Sequence, residues 1–88
     1  MLDIKYSDNA TKQLSQISKG DKSNAKLILK SLEKFAEFPL EKQDVKILKG
    51  KFGFLKRLRA GNYRIIFEND NQCIYVYEIK HRKDVHRD

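Results

Sequence analysis

Three arginines stand at alternate positions in two short runs, Arg57 and Arg59 in FLKRLRA and Arg64 in YRIIFEN, and Tyr75 and Tyr77 follow in QCIYVYEIK. A guanidinium presents a planar fork of N–H donors to phosphate oxygens and stays charged at any physiological pH. Tyrosine rings offer faces on which unpaired bases stack. The segment EIKHRKDVHRD then adds Lys80, His81, Arg82, Lys83, His86 and Arg87. An imidazole such as that of His86, with an unperturbed pKa near 6.5, is suited to moving protons at neutral pH beside phosphate-binding arginines. Read without chemistry, the same tail is a solvated, charged end.

These groups act together only if a sheet gathers them. From Asp44 onward the sequence alternates with period two, in DVKILKG, FLKRLRA, YRIIFEN and QCIYVYEIK, and the last three runs read as a meander of hairpins. A two-residue turn at Gly61 and Asn62 sets Arg59 opposite Arg64 and Leu58 opposite Ile65. A turn at Asp70 and Asn71 sets Ile66 opposite Tyr75, Phe67 opposite Ile74 and Arg64 opposite Tyr77. Under these two assumed registers one face collects Leu58, Tyr63, Ile65, Phe67, Ile74 and Val76. The other collects Arg57, Arg59, Arg64, Ile66, Glu68, Cys73, Tyr75, Tyr77 and Ile79. Like charges directly opposite one another are destabilising, so the second face is either simply wet or awaits a polyanion such as single-stranded RNA.

The first face needs a cover, and the N-terminal half supplies one. Leu2 to Tyr6 alternates as a short strand. Ser7 offers an N-cap for a helix carrying Ala10, Leu14 and Ile17, which stops near Gly20. Asp21 or Ser23 caps a second helix whose Ala25, Ile28, Leu29, Leu32, Phe35 and Ala36 form a three-four stripe ending near Phe38, before Pro39. A helical hairpin of this size must lie on a sheet to bury its stripe.

The 88 residues suit one domain, 1–88, burying roughly 60 to 65% of its unfolded surface. With 35% charged residues, no apolar run is long enough to span a bilayer, and the N-terminus has no secretory pattern, so a cytoplasmic protein with no membrane partner is expected. The single Cys73 excludes an internal disulfide and the usual zinc cage. Nineteen Lys and Arg against twelve Asp and Glu leave +7, which favours a polyanionic partner, unless the lysines merely solvate helix surfaces.

The run LKGKFGFLKRLRAGNYRIIFE, followed after a hairpin by YEIKHRKDVHR, resembles the RelE/ParE superfamily of toxins from type II toxin–antitoxin pairs, and within it the RelE-like branch. The blocks Arg57 to Phe67 and His81 to Val85, in that order and spacing, carry the likeness, which extends over almost the whole chain. It implies an α+β fold: a short strand, then a two-helix hairpin packed on a twisted antiparallel sheet with a basic concave face. It further implies a ribosome-dependent messenger RNA endonuclease, an mRNA interferase that blocks translation. That chemistry uses neither metal nor cofactor: the ribose 2′-hydroxyl attacks the adjacent phosphate, leaving a 2′,3′-cyclic phosphate and a 5′-hydroxyl.

Matched residue by residue, the resemblance gives Arg64 the scissile phosphate and Arg57 the same charge or the deprotonated nucleophile. Arg82, with His81 beside it, is a further active-site group. His86 stands where many relatives have a tyrosine acting as acid, base or stacking ring, and Leu55 stands where the best-known pattern has a lysine. Arg59, Tyr75, Tyr77 and Lys83 are expected to bind RNA, and Lys46, Lys49, Lys51 and Lys56 to contact ribosomal RNA. The implied partners are a cognate antitoxin, messenger RNA in the ribosomal A site and ribosomal RNA, with no sequence-specific DNA reading by this chain alone. A ParE-like inhibitor of DNA gyrase is the alternative, and a non-catalytic module that binds RNA or its antitoxin is the third.

Overall fold

The computed structural model describes residues 1–41, 43–48 and 54–84. The elements run β1 (Asp3–Tyr6), α1 (Asp8–Gly20), α2 (Lys22–Glu37), β2 (Val45–Ile47), β3 (Lys56–Ala60), β4 (Tyr63–Asn69), β5 (Cys73–His81) and a 3-10 turn at Arg82–Asp84. The strands form one sheet in the order β1-β5-β4-β3-β2. The meander β2 to β5 is antiparallel, while β1 adds to β5 in parallel, so the α+β sheet is mixed.

Local chemistry sets the helix ends. Ser7 Oγ accepts from the Ala10 N–H at 2.9 Å and starts α1. Asp21, rather than Ser23, caps α2, accepting from the Asn24 N–H at 3.3 Å and its Nδ2 at 2.6 Å. Phe38 closes α2 just before Pro39. Both helices cover the expected sheet face: Ile28, Leu32, Phe35 and Ala36 meet Leu58, Ile65, Phe67, Ile74 and Val76, and Phe35 meets Phe67 edge-on at 5.1 Å between ring centroids. Leu29, expected in the stripe, is exposed, in a hollow it lines with Thr11 and Leu14 of α1.

The first hairpin has the expected register, with Arg59 opposite Arg64 and Leu58 opposite Ile65. Gly61 has φ +58 and Asn62 has negative φ, the sign pattern of a II′ turn. A Cβ on Gly61 would lie 2.3 Å from Asn24 Oδ1 and 3.1 Å from Leu27 Cδ1. Asn24 cannot simply move aside, because its side chain donates to Asp21 and its Oδ1 faces the Asn62 N–H at 3.5 Å.

The second hairpin differs from expectation twice. Its tip is Asn71–Gln72, because the Asp70 carboxylate accepts from the N–H groups of Gln72 (2.8 Å) and Cys73 (2.7 Å) and moves the turn on by one residue. Phe67 therefore pairs with Val76, not Ile74, and Glu68 with Tyr75, which leaves side-chain parity intact. A β-bulge at Tyr77 then makes Ile66 pair with Glu78 and Arg64 with Lys80, not Tyr77. Parity flips beyond the bulge, so Ile79, expected on the open face, is buried in the core. β1 has turned away after Tyr6, and α1 satisfies this side of β5: Ser7 Oγ donates to the Tyr77 carbonyl at 2.8 Å, and the Ile79 N–H donates to Gln13 Oε1 at 2.7 Å.

Gly61→Ala is expected to lower stability by at least ~1–2 kcal/mol, from positive φ and the Asn24 clash, and the melting temperature by several degrees. Thermal unfolding followed by circular dichroism checks this, and an unchanged midpoint would contradict the assigned turn. The Asp21 carboxyl is held below the ordinary aspartate range, first by the Asn24 side-chain hydrogen bond, and Asp70 likewise by the Cys73 N–H. Both folded values lie below the unfolded ones, so their contribution is complete above the normal aspartate pKa and is lost as pH falls through the depressed folded values. Asp21→Asn/Asp70→Asn should therefore flatten the acid limb of a pH-dependent denaturation series.

Candidate functional site

Strand pairing builds a cationic row across the face opposite the helices. Arg59 on β3, Arg64 on β4 and Lys80 on β5 lie side by side. Directly opposed side chains in such ladders have Cβ atoms about 5 Å apart, where two unit charges repel by roughly 1 kcal/mol in water and several-fold more when partly desolvated. An anion seated among them relieves that repulsion. At the hairpin end Arg59, Gly61, Tyr63, Arg64 and Arg82 line a cavity of about 240 Å³. The row arises because the displaced turn and the bulge together bring Lys80, rather than Tyr77, opposite Arg64. The sequence marks Lys80 as part of a basic segment without giving it a role in the site, and the bulge that helps place it has no turn residue to announce it.

Arg57 belongs to the next row, between Lys46 on β2 and Ile66 on β4, and so lies on the same face as Arg64. Strand alternation fixes its side but not its depth, and Arg57 is only 6% exposed. Asp44, just before β2, connects the two rows. Its carboxylate lies 3.8 Å from Arg57 Nη1 and 3.7 Å from Arg59 Nε, and its backbone carbonyl accepts from the Arg59 N–H. Sequence alternation gave Asp44 no role; its exposed carboxylate against two guanidinium groups is a product of the β2–β3 pairing. Glu78 lies 3.3 Å from Lys80 Nζ and balances the other end of the row.

Farther along β4 and β5 are the two expected stacking tyrosines. Tyr75 pairs with Glu68, and Lys5 Nζ lies 5.8 Å from its ring centroid. Tyr77, carried on the bulge, donates its hydroxyl to Glu68 Oε1. The phenol of Tyr77 is pushed up first by that bond, and the phenol of Tyr75 first by its hydrogen bond with Cys73. Both rings remain neutral at physiological pH.

The remaining expected residues divide. Arg82 joins the cavity from the 3-10 turn. His81 lies opposite Tyr63, and its ring meets Tyr63 edge-on at 5.1 Å beside Gln13, Gln16 and Ile17, on the helix side of the sheet. Lys56 also faces the helix side, opposite Phe67, and donates to Asn69 Oδ1 at 2.7 Å. Lys46 and Lys83 are exposed. His86, Lys49 and Lys51 lie outside the described residues. Among the described residues no three His, Cys, Asp or Glu side chains converge as metal ligands, and no helix is long and apolar enough to cross a membrane.

The fold and this sequence have known counterparts. YoeB of Staphylococcus aureus, solved as a dimer, is 22% identical, with TM-score 0.79 over 91% of this chain and 95% of that one. RelE from the RelB–RelE antitoxin–toxin complex of Methanococcus jannaschii is 26% identical, with TM-score 0.71 over 90% of this chain and 91% of that one. YafQ of E. coli is 15% identical, with TM-score 0.66 over 94% and 96%. No curated protein matches the sequence. The family model for the ParE toxin of type II toxin–antitoxin systems, parDE, matches residues 4–86. With nearly the full chain covered by that model, and the strand, helical hairpin and sheet arranged as in YoeB, RelE and YafQ, the chain belongs to the ParE toxin family and is a type II toxin of the RelE/ParE superfamily.

Proposed function

We propose that the chain is an endoribonuclease toxin that cuts messenger RNA in the ribosomal A site and is silenced by a cognate antitoxin. The observation that carries this reading is the row Arg59–Arg64–Lys80 ending in a cavity that Arg82 also lines. A phosphodiester entering that cavity meets guanidinium forks from three segments, which suits charge developing on its non-bridging oxygens. The 2′-oxygen forms a bond to phosphorus, the bond from phosphorus to the 5′-oxygen breaks, and a 2′,3′-cyclic phosphate remains. Asp44, exposed at the margin of the arginines, is assigned the 2′-proton. His86 is assigned proton delivery to the leaving 5′-oxygen. Arg57, buried against the same face, sustains the positive potential, and Tyr75 and Tyr77 offer stacking surfaces for neighbouring bases. Lys46, Lys49, Lys51, Lys56 and Lys83 remain proposed contacts to ribosomal RNA or message, and the protein acts in the cytoplasm. Relatives solved as toxin–antitoxin complexes, YoeB with YefM and RelB with RelE, support an antitoxin partner.

A second reading, inhibition of DNA gyrase, is favoured by two observations. The matching family model describes ParE, and the described histidine, His81, faces the helix side, away from the arginine row. Such an inhibitor needs no nuclease centre, and the arginines Arg57 and Arg64 with the basic C-terminal segment argue against it.

Arg64→Ala should fold normally and lose cleavage of translated messenger RNA by about a hundredfold or more, the usual consequence of removing one preorganised charge stabiliser. Breaks mapped on a ribosome-bound message, beside a gyrase supercoiling assay, check this. Codon-phased breaks that vanish in the variant support cleavage, inhibited supercoiling supports the second reading, and neither would leave a non-catalytic module. Affinity for single-stranded RNA should fall with salt at a logarithmic slope of about 0.7 per neutralised phosphate, and a flat response in a salt titration would remove the cationic row from binding.

A further inference from the structure

Arg82 reaches the phosphate cavity from outside the sheet, at the first position of the Arg82–Asp84 turn, so its place depends on how that turn is fastened. Among the described residues, hydrogen bonds to the β3–β4 hairpin and to His81 fasten it. The Arg82 N–H donates to the Asn62 carbonyl at 2.8 Å, tying the turn to the β3–β4 hairpin. The Lys83 N–H donates to His81 Nδ1 at 3.1 Å. His81 immediately precedes the turn and caps its second N–H, a task ordinarily done by Asn, Asp, Ser or Thr. A backbone N–H can only donate, so Nδ1 must be bare and the ring proton must sit on Nε2. An imidazolium, with a proton on each nitrogen, has no acceptor to offer.

We propose that His81 is a positioning residue for Arg82: its neutral imidazole caps the Arg82–Asp84 turn through Nδ1, and protonation opens the cap and lets Arg82 leave the phosphate cavity. This role deepens the RNA-cutting reading and rests on it for the activity readout. It differs from the direct catalytic part that family resemblance gave His81, which the ring's place on the helix side does not favour. The titratable and charged groups beside the ring are the Tyr63 phenol from β4, the Asp21 carboxylate from the junction of α1 and α2, and Lys80, which lines the same hollow. Gln13, Gln16 and Ile17 add no charge.

The test compares the wild type, His81→Ala and His81→Asn. Asn supplies a capping oxygen that does not titrate. The probe is a short 2′-O-methyl oligoribonucleotide, which binds but cannot be cut, and its affinity is measured at pH 7 and about 5.5, across the histidine range. At pH 7 His81→Ala should bind about fivefold more weakly, the ratio set by the usual worth of an N-cap, and His81→Asn should bind as the wild type. At the lower pH the wild type should weaken toward His81→Ala while His81→Asn holds. A histidine acting only through its charge would instead tighten RNA binding on protonation, so a gain in wild-type affinity in acid overturns the cap. Failure of Asn to rescue Ala does so too.

Long-range proton–nitrogen NMR of the wild type should show Nδ1 unprotonated at pH 7, with the Lys83 amide shift following His81 as it titrates. A protonated Nδ1 at pH 7 overturns the proposal. Cleavage of a translated message should follow the same pH order as oligonucleotide affinity. A wild type that binds with this order yet never cuts would sink the nuclease reading and leave the cap standing.

Discussion

Tyr77 is one residue more than the ladder between β4 and β5 can pair, and α1 holds the excess in place. Beyond Tyr6 the first strand leaves the sheet, so that edge of β5 has backbone groups with no strand beside them. Ser7, already engaged as the N-cap of α1, donates to the Tyr77 carbonyl, and Gln13 accepts from the Ile79 amide. With those groups satisfied, the bulge carries little penalty in a buried sheet. Its effects reach both faces. Ile79 turns into the core, Lys80 comes beside Arg64, and Tyr77 is presented outward where its hydroxyl meets Glu68.

The cationic face is tolerable because the opposite face is so completely occupied. Ile65, Phe67, Ile74 and Val76 are essentially inaccessible beneath the helices, and each such side chain stabilises the folded chain by about 1.5–3 kcal/mol relative to exposure. Repulsion within the row is of similar or smaller size per pair. Asp44 and Glu78 offset part of it from the two margins, at separations of 3.3 to 3.8 Å. The Asp44–Arg59 contact is exposed and the Glu78–Lys80 contact partly so, and a phosphate can outcompete such pairs, so the face is charged for a ligand without being unstable in its absence.

The hairpin between β3 and β4 connects the two layers. Gly61 passes so close to α2 that no side chain fits, and Asn24, in the first turn of that helix, reaches both Asp21 and the Asn62 amide. Asn62 also accepts from Arg82. Helix cap, hairpin turn and the segment carrying the last arginine are therefore joined through two asparagines, which makes the geometry of the cavity sensitive to how α2 seats on the sheet.

Much of this was legible in the amino-acid order because it depends on local rules. Period-two alternation marks Leu58, Ile65 and Phe67 for one side and Arg57, Arg59 and Arg64 for the other, Ser7 and Asp21 are competent caps, and Gly61–Asn62 is a competent turn. Local rules also gave the right parity for Ile74 and Val76, since moving the turn by one residue shifts the pairing by two. They could not give the bulge, because nothing near Tyr77 announces it: its partners, Ser7 and Gln13, are more than sixty residues away. Nor could they tell that Arg57 is sunk while Arg59 is exposed, that His81 turns toward the helices, or that Asp44 lies against two guanidinium groups, since each depends on what distant segments lay over that spot. Residue order decided which side chains share a face; only the packed chain decided how deep each one sits and which stand next to one another, because depth and adjacency come from contacts between segments far apart in sequence.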